Sequence, residues 1–142
     1  MNGTRKFLIA SHGSLASGIK SSLDIIVGEM DNVFLIEAYL AENKSIEEEV
    51  NEVMNTLGNE DELIIFTDLL GGSVTNQMAV FTGNDNVHLV AGFNLALIIE
   101  VLLSDAEAPI AAVIESAVNN AKSQMAYVNR MINSSKEKLN HD

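Results

Sequence analysis

Short unbroken apolar runs alternate along this chain with longer stretches in which apolar residues recur every three or four positions. Phe7-Leu8-Ile9-Ala10 and Leu63-Ile64-Ile65-Phe66 are continuous apolar runs, the pattern of strands buried on both faces. Val33–Leu40 and Val87–Ala91 read as two more strands. Between the first two strands, Leu15, Ala16, Ile19, Leu23, Ile26 and Val27 share one helical face, and Gly28 supplies a C-cap. Ser45-Ile46-Glu47-Glu48 is a capping box opening a helix that buries Ile46, Val50, Val53, Met54 and Leu57 and stops at Gly58. Ser73 is placed to cap a helix over Val74–Phe81. Asn94 opens a strongly apolar helix, Leu95–Leu103, and Pro109 begins a helix with Ile110, Val113, Ile114, Ala117, Val118 and Ala121 on one face. Strands alternating with helices predict an α/β fold: a single doubly wound, mainly parallel sheet of four strands with helices on both faces. Met125–Ile132 admits two readings, a fifth, antiparallel edge strand exchanged in a dimer or further helix. Ser134–Asp142 is polar and is expected to fray. No repeat, linker or low-complexity tract divides the chain, so residues 1–142 are read as one domain.

Composition narrows the function classes. With 142 residues, 47% of them hydrophobic, the chain is long enough to bury a sizeable core. It has no cysteine, which excludes disulfides and thiolate chemistry. The N-terminal apolar run is too short for a signal peptide or a membrane span. Eight basic against twenty acidic residues give a net charge of −12, which disfavours nucleic acid and anionic membranes and suits a partner with a basic face.

The candidate chemistry lies at two strand ends. Ser11-His12-Gly13-Ser14 ends the first strand, and Asp68 follows the third, ahead of Gly71-Gly72-Ser73. If these strands are neighbours, His12 and Asp68 meet at the carboxyl edge, where such folds place their ligands. A carboxylate on one ring nitrogen fixes the imidazole tautomer and frees the other nitrogen as base, metal ligand or nucleophile. A metal site lacks further ligands, since His88 is mid-strand and His141 is in the tail. A serine hydrolase would draw on Ser11, Ser14 or Ser73, but no G-x-S-x-G elbow is present. A P-loop is absent as well. A histidine beside Gly13, an opposed acid and two helix starts together make a place to carry a phosphoryl group. The glycine turn also favours anions at the helix start behind it.

Ile9-Ala10-Ser11-His12-Gly13, with Ala16, Gly18, Ser22 and Ile26-Val27-Gly28-Glu29, resembles the opening of the mannose-family enzyme IIA of the bacterial phosphoenolpyruvate-dependent sugar phosphotransferase system. Thr67-Asp68-Leu69-Leu70-Gly71-Gly72-Ser73 with Asn76 is similar to that family's second signature, and Ala91-Gly92-Phe93-Asn94-Leu95 with Ile98-Ile99-Glu100 to a third. The resemblance extends to about Leu103. It implies that His12 is the phosphorylated residue and Asp68 its orienting carboxylate. Gly13, Gly71, Gly72 and Ser73 would hold the phosphoryl oxygens, with Asn94 either an N-cap or a second layer behind the site. It implies a cytoplasmic homodimer that needs no metal or other cofactor. That dimer would take phosphate from the carrier HPr and pass it to enzyme IIB, which serves a membrane permease. Val74 and Ala96 stand where relatives often have proline, which changes loop stiffness. The phosphotransferase subunit of a dihydroxyacetone kinase shares the layout but typically carries one glycine where this chain has Gly71-Gly72. A module phosphorylated only to be sensed, and a His/Asp hydrolase, remain as alternatives.

Overall fold

The structure, a computed structural model, describes residues 3–40 and 44–141. Four strands, β1 (Arg5–His12), β2 (Val33–Ala38), β3 (Glu62–Thr67) and β4 (Val87–Ala91), form one parallel sheet in the order β2-β1-β3-β4. The helices are α1 (Leu15–Ile26), α2 (Ile46–Met54), α3 (Ser73–Ala79), α4 (Leu95–Leu102), α5 (Ile110–Lys122) and α6 (Val128–His141).

Alternation along the central strands divides the core into two layers. Phe7, Ile9, Ile64 and Phe66 pack with Ala16 and Leu23 of α1, Leu97, Ile98 and Val101 of α4, and Ala117 of α5. Leu8, Ala10, Leu63 and Ile65 pack with Ile46, Val50 and Val53 of α2 and with Val74 and Met78 of α3. The division follows from topology. The step from β1 to β2 runs one way along the sheet, whereas the steps to β3 and β4 run the other way. Connections of one hand that travel in opposite directions lie on opposite faces. The chain reverses between β1 and β3, so the carboxyl ends of these two strands border the crevice of the fold.

Several elements end where sequence periodicity does not place them. β1 reaches His12, two residues beyond the apolar run, because Ser11 and His12 still pair with Glu37 and Ala38 of β2. β2 stops at Ala38, because Tyr39 adopts a left-handed backbone (φ 69°) that extended pairing cannot use. The helix begun by Ser45, whose hydroxyl accepts the Glu48 N–H as expected, ends at Met54 rather than Leu57. Ser73 is the first residue of α3 rather than its cap, and Val80–Gly83 forms a separate 3-10 turn.

The largest correction concerns the C-terminal segment. Met125–Ile132 is neither a fifth strand nor a continuation of α5, which closes at Ser123. From Val128 a new helix begins and runs as far as His141; Asp142 lies outside the described residues. Val128, Met131 and Ile132 lie at i, i+3 and i+4, a helical stripe, and Lys136, Glu137 and Lys138 are good helix formers. Every described side chain from Lys122 to Lys138 is exposed, so α6 stands clear of both layers.

Candidate functional site

His12, the last residue of β1, and Asp68, the first residue past β3, meet at the crevice that the topology predicts. One carboxylate oxygen, Asp68 Oδ2, accepts both the His12 backbone N–H at 2.8 Å and a ring contact from Nδ1 at 2.8 Å. The backbone bond fixes where the carboxylate sits, and the ring bond fixes the imidazole. Nδ1 is then the protonated nitrogen, and Nε2 carries the lone pair. Burial pushes the Asp68 carboxyl pKa up, but the hydrogen bonds from the His12 backbone and ring outweigh it, and the net shift is below the ordinary value. The Asp68 side chain is 9% exposed and that of His12 39%, so the acid is sheltered while the imidazole is partly open to solvent.

The glycine turn closes the other side of the ring. Ser73 Oγ lies 3.3 Å from His12 Nε2, and a Cβ placed on Gly72 would lie 3.7 Å from His12 Cε1. Gly71 takes a left-handed backbone (φ 77°), which lets the turn double back against the histidine. The Gly13 N–H donates to Ala38 O, and the Gly72 N–H donates to Leu69 O. Among the described residues, the N–H groups of Gly71 and Ser73 have no such partner. The Gly13 and Gly72 N–H groups are thus committed to backbone carbonyls, while those of Gly71 and Ser73 are not.

Asn94 bonds to the helices, not to His12 or Asp68. Its Oδ1 accepts the Leu97 N–H at 2.8 Å, capping α4, and its Nδ2 donates to Ala121 O of α5. The turn before it is joined to the site by backbone, since the Gly92 and Phe93 N–H groups both donate to Thr67 O, next to Asp68. His88 lies away from the site, 3.7 Å from Glu62.

Three more residues complete the arrangement: Ser11, which the sequence offered only as a hydrolase nucleophile and as part of a signature, and Thr75 and Tyr39, which it did not single out. Buried Ser11 accepts the Ala16 N–H and donates to Gly13 O, latching the start of α1 to the turn after His12. Buried Thr75 donates to Leu69 O and so accepts from the Thr67 hydroxyl, holding the Asp68 loop to α3. Tyr39 places its hydroxyl 2.7 Å from Ser73 Oγ and its ring 5.6 Å from the His12 ring. The polar residue after an apolar run was the available signal for Ser11; nothing in local sequence marks Tyr39.

The site lies on an open surface. Exposed Leu69, Leu70 and Tyr39 flank it, and a broad groove around Arg5, Lys6, Lys20 and Asn32 lies at the opposite end of the strands. Among the described residues no cluster of three or more His, Cys, Asp or Glu could hold a metal ion. No described helix is long and apolar enough to cross a membrane. The geometry is that of a half-exposed, oriented imidazole whose second nitrogen lies beside the Ser73 hydroxyl. Such a group can take up and release an electrophile presented by another protein.

Comparisons with known proteins place the chain among phosphotransferase IIA components. The family model described as the PTS system fructose IIA component (EIIA-man) matches residues 6–118, which include every site residue named above. The chain is 28% identical over 97 residues, 67% of its length, to the PTS system fructose-specific EIIA component of Bacillus subtilis (strain 168). It spans 66% of that relative's length and 33% of longer curated ones. Among solved structures, a Klebsiella pneumoniae protein provisionally assigned as a phosphoenolpyruvate-dependent sugar phosphotransferase permease superposes with a TM-score of 0.86. Its identity is 35%, with 93% of this chain and 96% of that one covered. The PTS IIA protein associated with the fucose utilization operon of Streptococcus pneumoniae gives a TM-score of 0.73. Here identity is 32%, with 92% of this chain and 98% of that one covered.

Proposed function

This chain belongs to the mannose/fructose-type enzyme IIA family of the sugar phosphotransferase system, and on that premise we propose that it is a phosphohistidine carrier. His12 Nε2 attacks the phosphorus of phospho-HPr; the N–P bond to the donor histidine breaks as the bond to Nε2 forms. The imidazole of His12 becomes positive, and Asp68 Oδ2, already on Nδ1–H, stabilises that charge. Attack by a nucleophile of enzyme IIB then releases the phosphoryl group and returns the neutral ring. Phosphoryl transfer asks the protein for positioning and charge stabilisation more than for covalent help. The N–H groups of Gly71 and Ser73 and the Ser73 hydroxyl suit the phosphoryl oxygens, between the Gly13 turn after β1 and the Gly72 turn after β3. Such donors stabilise the phosphate without the tight ion pair a lysine would make, and a carrier must let go.

One observation carries the reading: a single carboxylate oxygen of the sheltered Asp68 side chain fixes both the backbone and Nδ1 of His12, at 2.8 Å each, leaving Nε2 with the lone pair on a side chain that is 39% exposed. The net charge of −12 suits a partner with a basic face. The carrier works in the cytoplasm as a homodimer, a state favoured by the exposed apolar residues Leu103, Met125, Tyr127, Val128, Met131 and Ile132. Incubation with phosphoenolpyruvate, enzyme I and HPr should add one acid-labile phosphate per chain. His12→Ala should abolish it with the circular dichroism spectrum unchanged, and labelling that persists in this variant would remove His12 from the role.

A second reading draws on the same atoms. Asp68, His12 and Ser73 stand in the order acid, base and hydroxyl, with Oγ 3.3 Å from Nε2, the arrangement of a serine hydrolase. Ser73 opens a helix without a nucleophile elbow, and Tyr39 occupies its hydroxyl. Covalent labelling of Ser73 by a fluorophosphonate would favour the hydrolase, and failure to label would favour the carrier.

A further inference from the structure

Tyr39 combines three properties that packing does not account for. It is the one non-glycine residue with a positive φ among the described residues, at 69°. An aromatic side chain adopts that conformation only when its surroundings hold it there. It is 67% exposed, so burial of its ring is not what holds it. Its hydroxyl instead meets Ser73 Oγ at 2.7 Å, across from the end of β2 to the start of α3. We infer that Tyr39 is a positioning residue that orients the Ser73 hydroxyl toward the group carried on His12 Nε2, an inference that rests on the phosphocarrier reading.

The direction of the hydrogen bonds follows from counting protons. Asp68 accepts the hydrogen bond from Nδ1–H, so Nε2 presents a lone pair and Ser73 donates to it across 3.3 Å. A hydroxyl has one proton, so Ser73 cannot also donate to Tyr39, and the phenol donates to Ser73. A phosphoryl group on Nε2 likewise offers only acceptors. The same orientation therefore serves both states, with the Ser73 proton moving its aim from Nε2 to a phosphoryl oxygen. Without the phenolic donor, the serine rotor is free to point at solvent. Ser73 opens α3 and leaves its own side chain uncommitted to helix capping, which makes it available for this relay.

The test is Tyr39→Phe, which keeps the ring and removes only the donor, in the wild-type and Ser73→Ala backgrounds. In the wild-type background phosphoryl transfer should slow by about 3- to 10-fold, the effect of one neutral hydrogen bond. The phosphohistidine should also hydrolyse faster, and its phosphorus NMR resonance should shift, while one phosphate per chain still loads. In the Ser73→Ala background the same substitution should change none of these, because Tyr39 acts only through Ser73. Wild-type rates, lifetime and resonance in Tyr39→Phe would overturn the inference, as would an equal effect in both backgrounds. A wild-type chain that takes up no phosphoryl group at all removes the phosphocarrier reading itself, and this inference with it.

Discussion

Asp68 works through one oxygen: Oδ2 receives both His12 contacts, and Oδ1 is buried with no hydrogen-bond partner among the described residues. Asp68→Asn removes the charge that steadies the positive ring and leaves the tautomer loosely held. A hydrogen bond to a charged group contributes about 1.5–3 kcal/mol, so transfer through His12 should slow by about one to two orders of magnitude in stopped-flow or quench measurements. Rates equal to wild type in both directions would separate the two residues functionally. The same carboxylate has a pH signature. Its folded-state pKa lies below the ordinary value near 3.9, so the folded chain releases this proton more readily than the unfolded one. The stability it contributes is complete above that ordinary value and is lost as the pH falls through the lower, folded pKa. Denaturant midpoints from pH 6 to pH 3 should therefore drop less steeply on the acid side for Asp68→Asn than for wild type. At this scale the sequence was informative about His12 and Asp68, whose residue types announce their chemistry. It was silent about Tyr39, which matters only because β2 lies beside β1 and aims its end at α3.

Elements, rather than single residues, hold the two halves of the site together. Ser11 ties α1 to the end of β1 from a fully buried position. Ser11→Ala leaves the Ala16 N–H without its acceptor, and a buried donor so orphaned costs about 1–3 kcal/mol. A lower urea midpoint with an unchanged slope is the expected outcome. Gly72 probes the packing of the turn against the ring. A Cβ there would stand 3.2 Å from Leu69 Cβ and 3.3 Å from Leu69 O, so the turn must shift by a few tenths of an ångström. Because His12 Cε1 is the next neighbour at 3.7 Å, Gly72→Ala should slow phosphoryl transfer more than it lowers the denaturant midpoint. Capping explains a misjudged boundary. The strand–glycine–serine pattern suits an N-cap, yet the Ser73 hydroxyl is taken by His12 and Tyr39, and Gly72 stands at the cap position without a side chain. Local propensity could not register that competition, since both competitors come from distant parts of the chain.

For the whole molecule the open question is what covers α6. Its apolar stripe and the preceding Met125 and Tyr127 are exposed, and so is Leu103 at the end of α4. An amphipathic helix facing only water is poorly stabilised, and a second copy of the chain offers the same stripe in return. Sedimentation should show a homodimer at micromolar concentration. Truncation after Gln124 should weaken it, while the denaturant midpoint at concentrations too dilute for association should change little. A monomer at micromolar concentration would exclude the dimer, whereas a truncated chain that still dimerises would excuse only α6.

The alternation of unbroken apolar runs with helical stripes was enough to determine a parallel α/β sheet covered on both faces, because burying a strand on both sides demands apolar residues at every position. Short motifs around His12 and Asp68 carried the family, since glycine turns and paired ring and carboxylate leave marks in adjacent residues. Strand order was decided in three dimensions: β1 sits between β2 and β3, and its pairing with β3 brings residues 12 and 68 within one hydrogen bond. The same is true of the Tyr39 relay and of the fate of residues 125–132. For that segment, strand and helix patterns were both tolerable locally, and packing on the sheet would have had to choose. It makes no such packing, so its own helical stripe and helix-forming residues prevail.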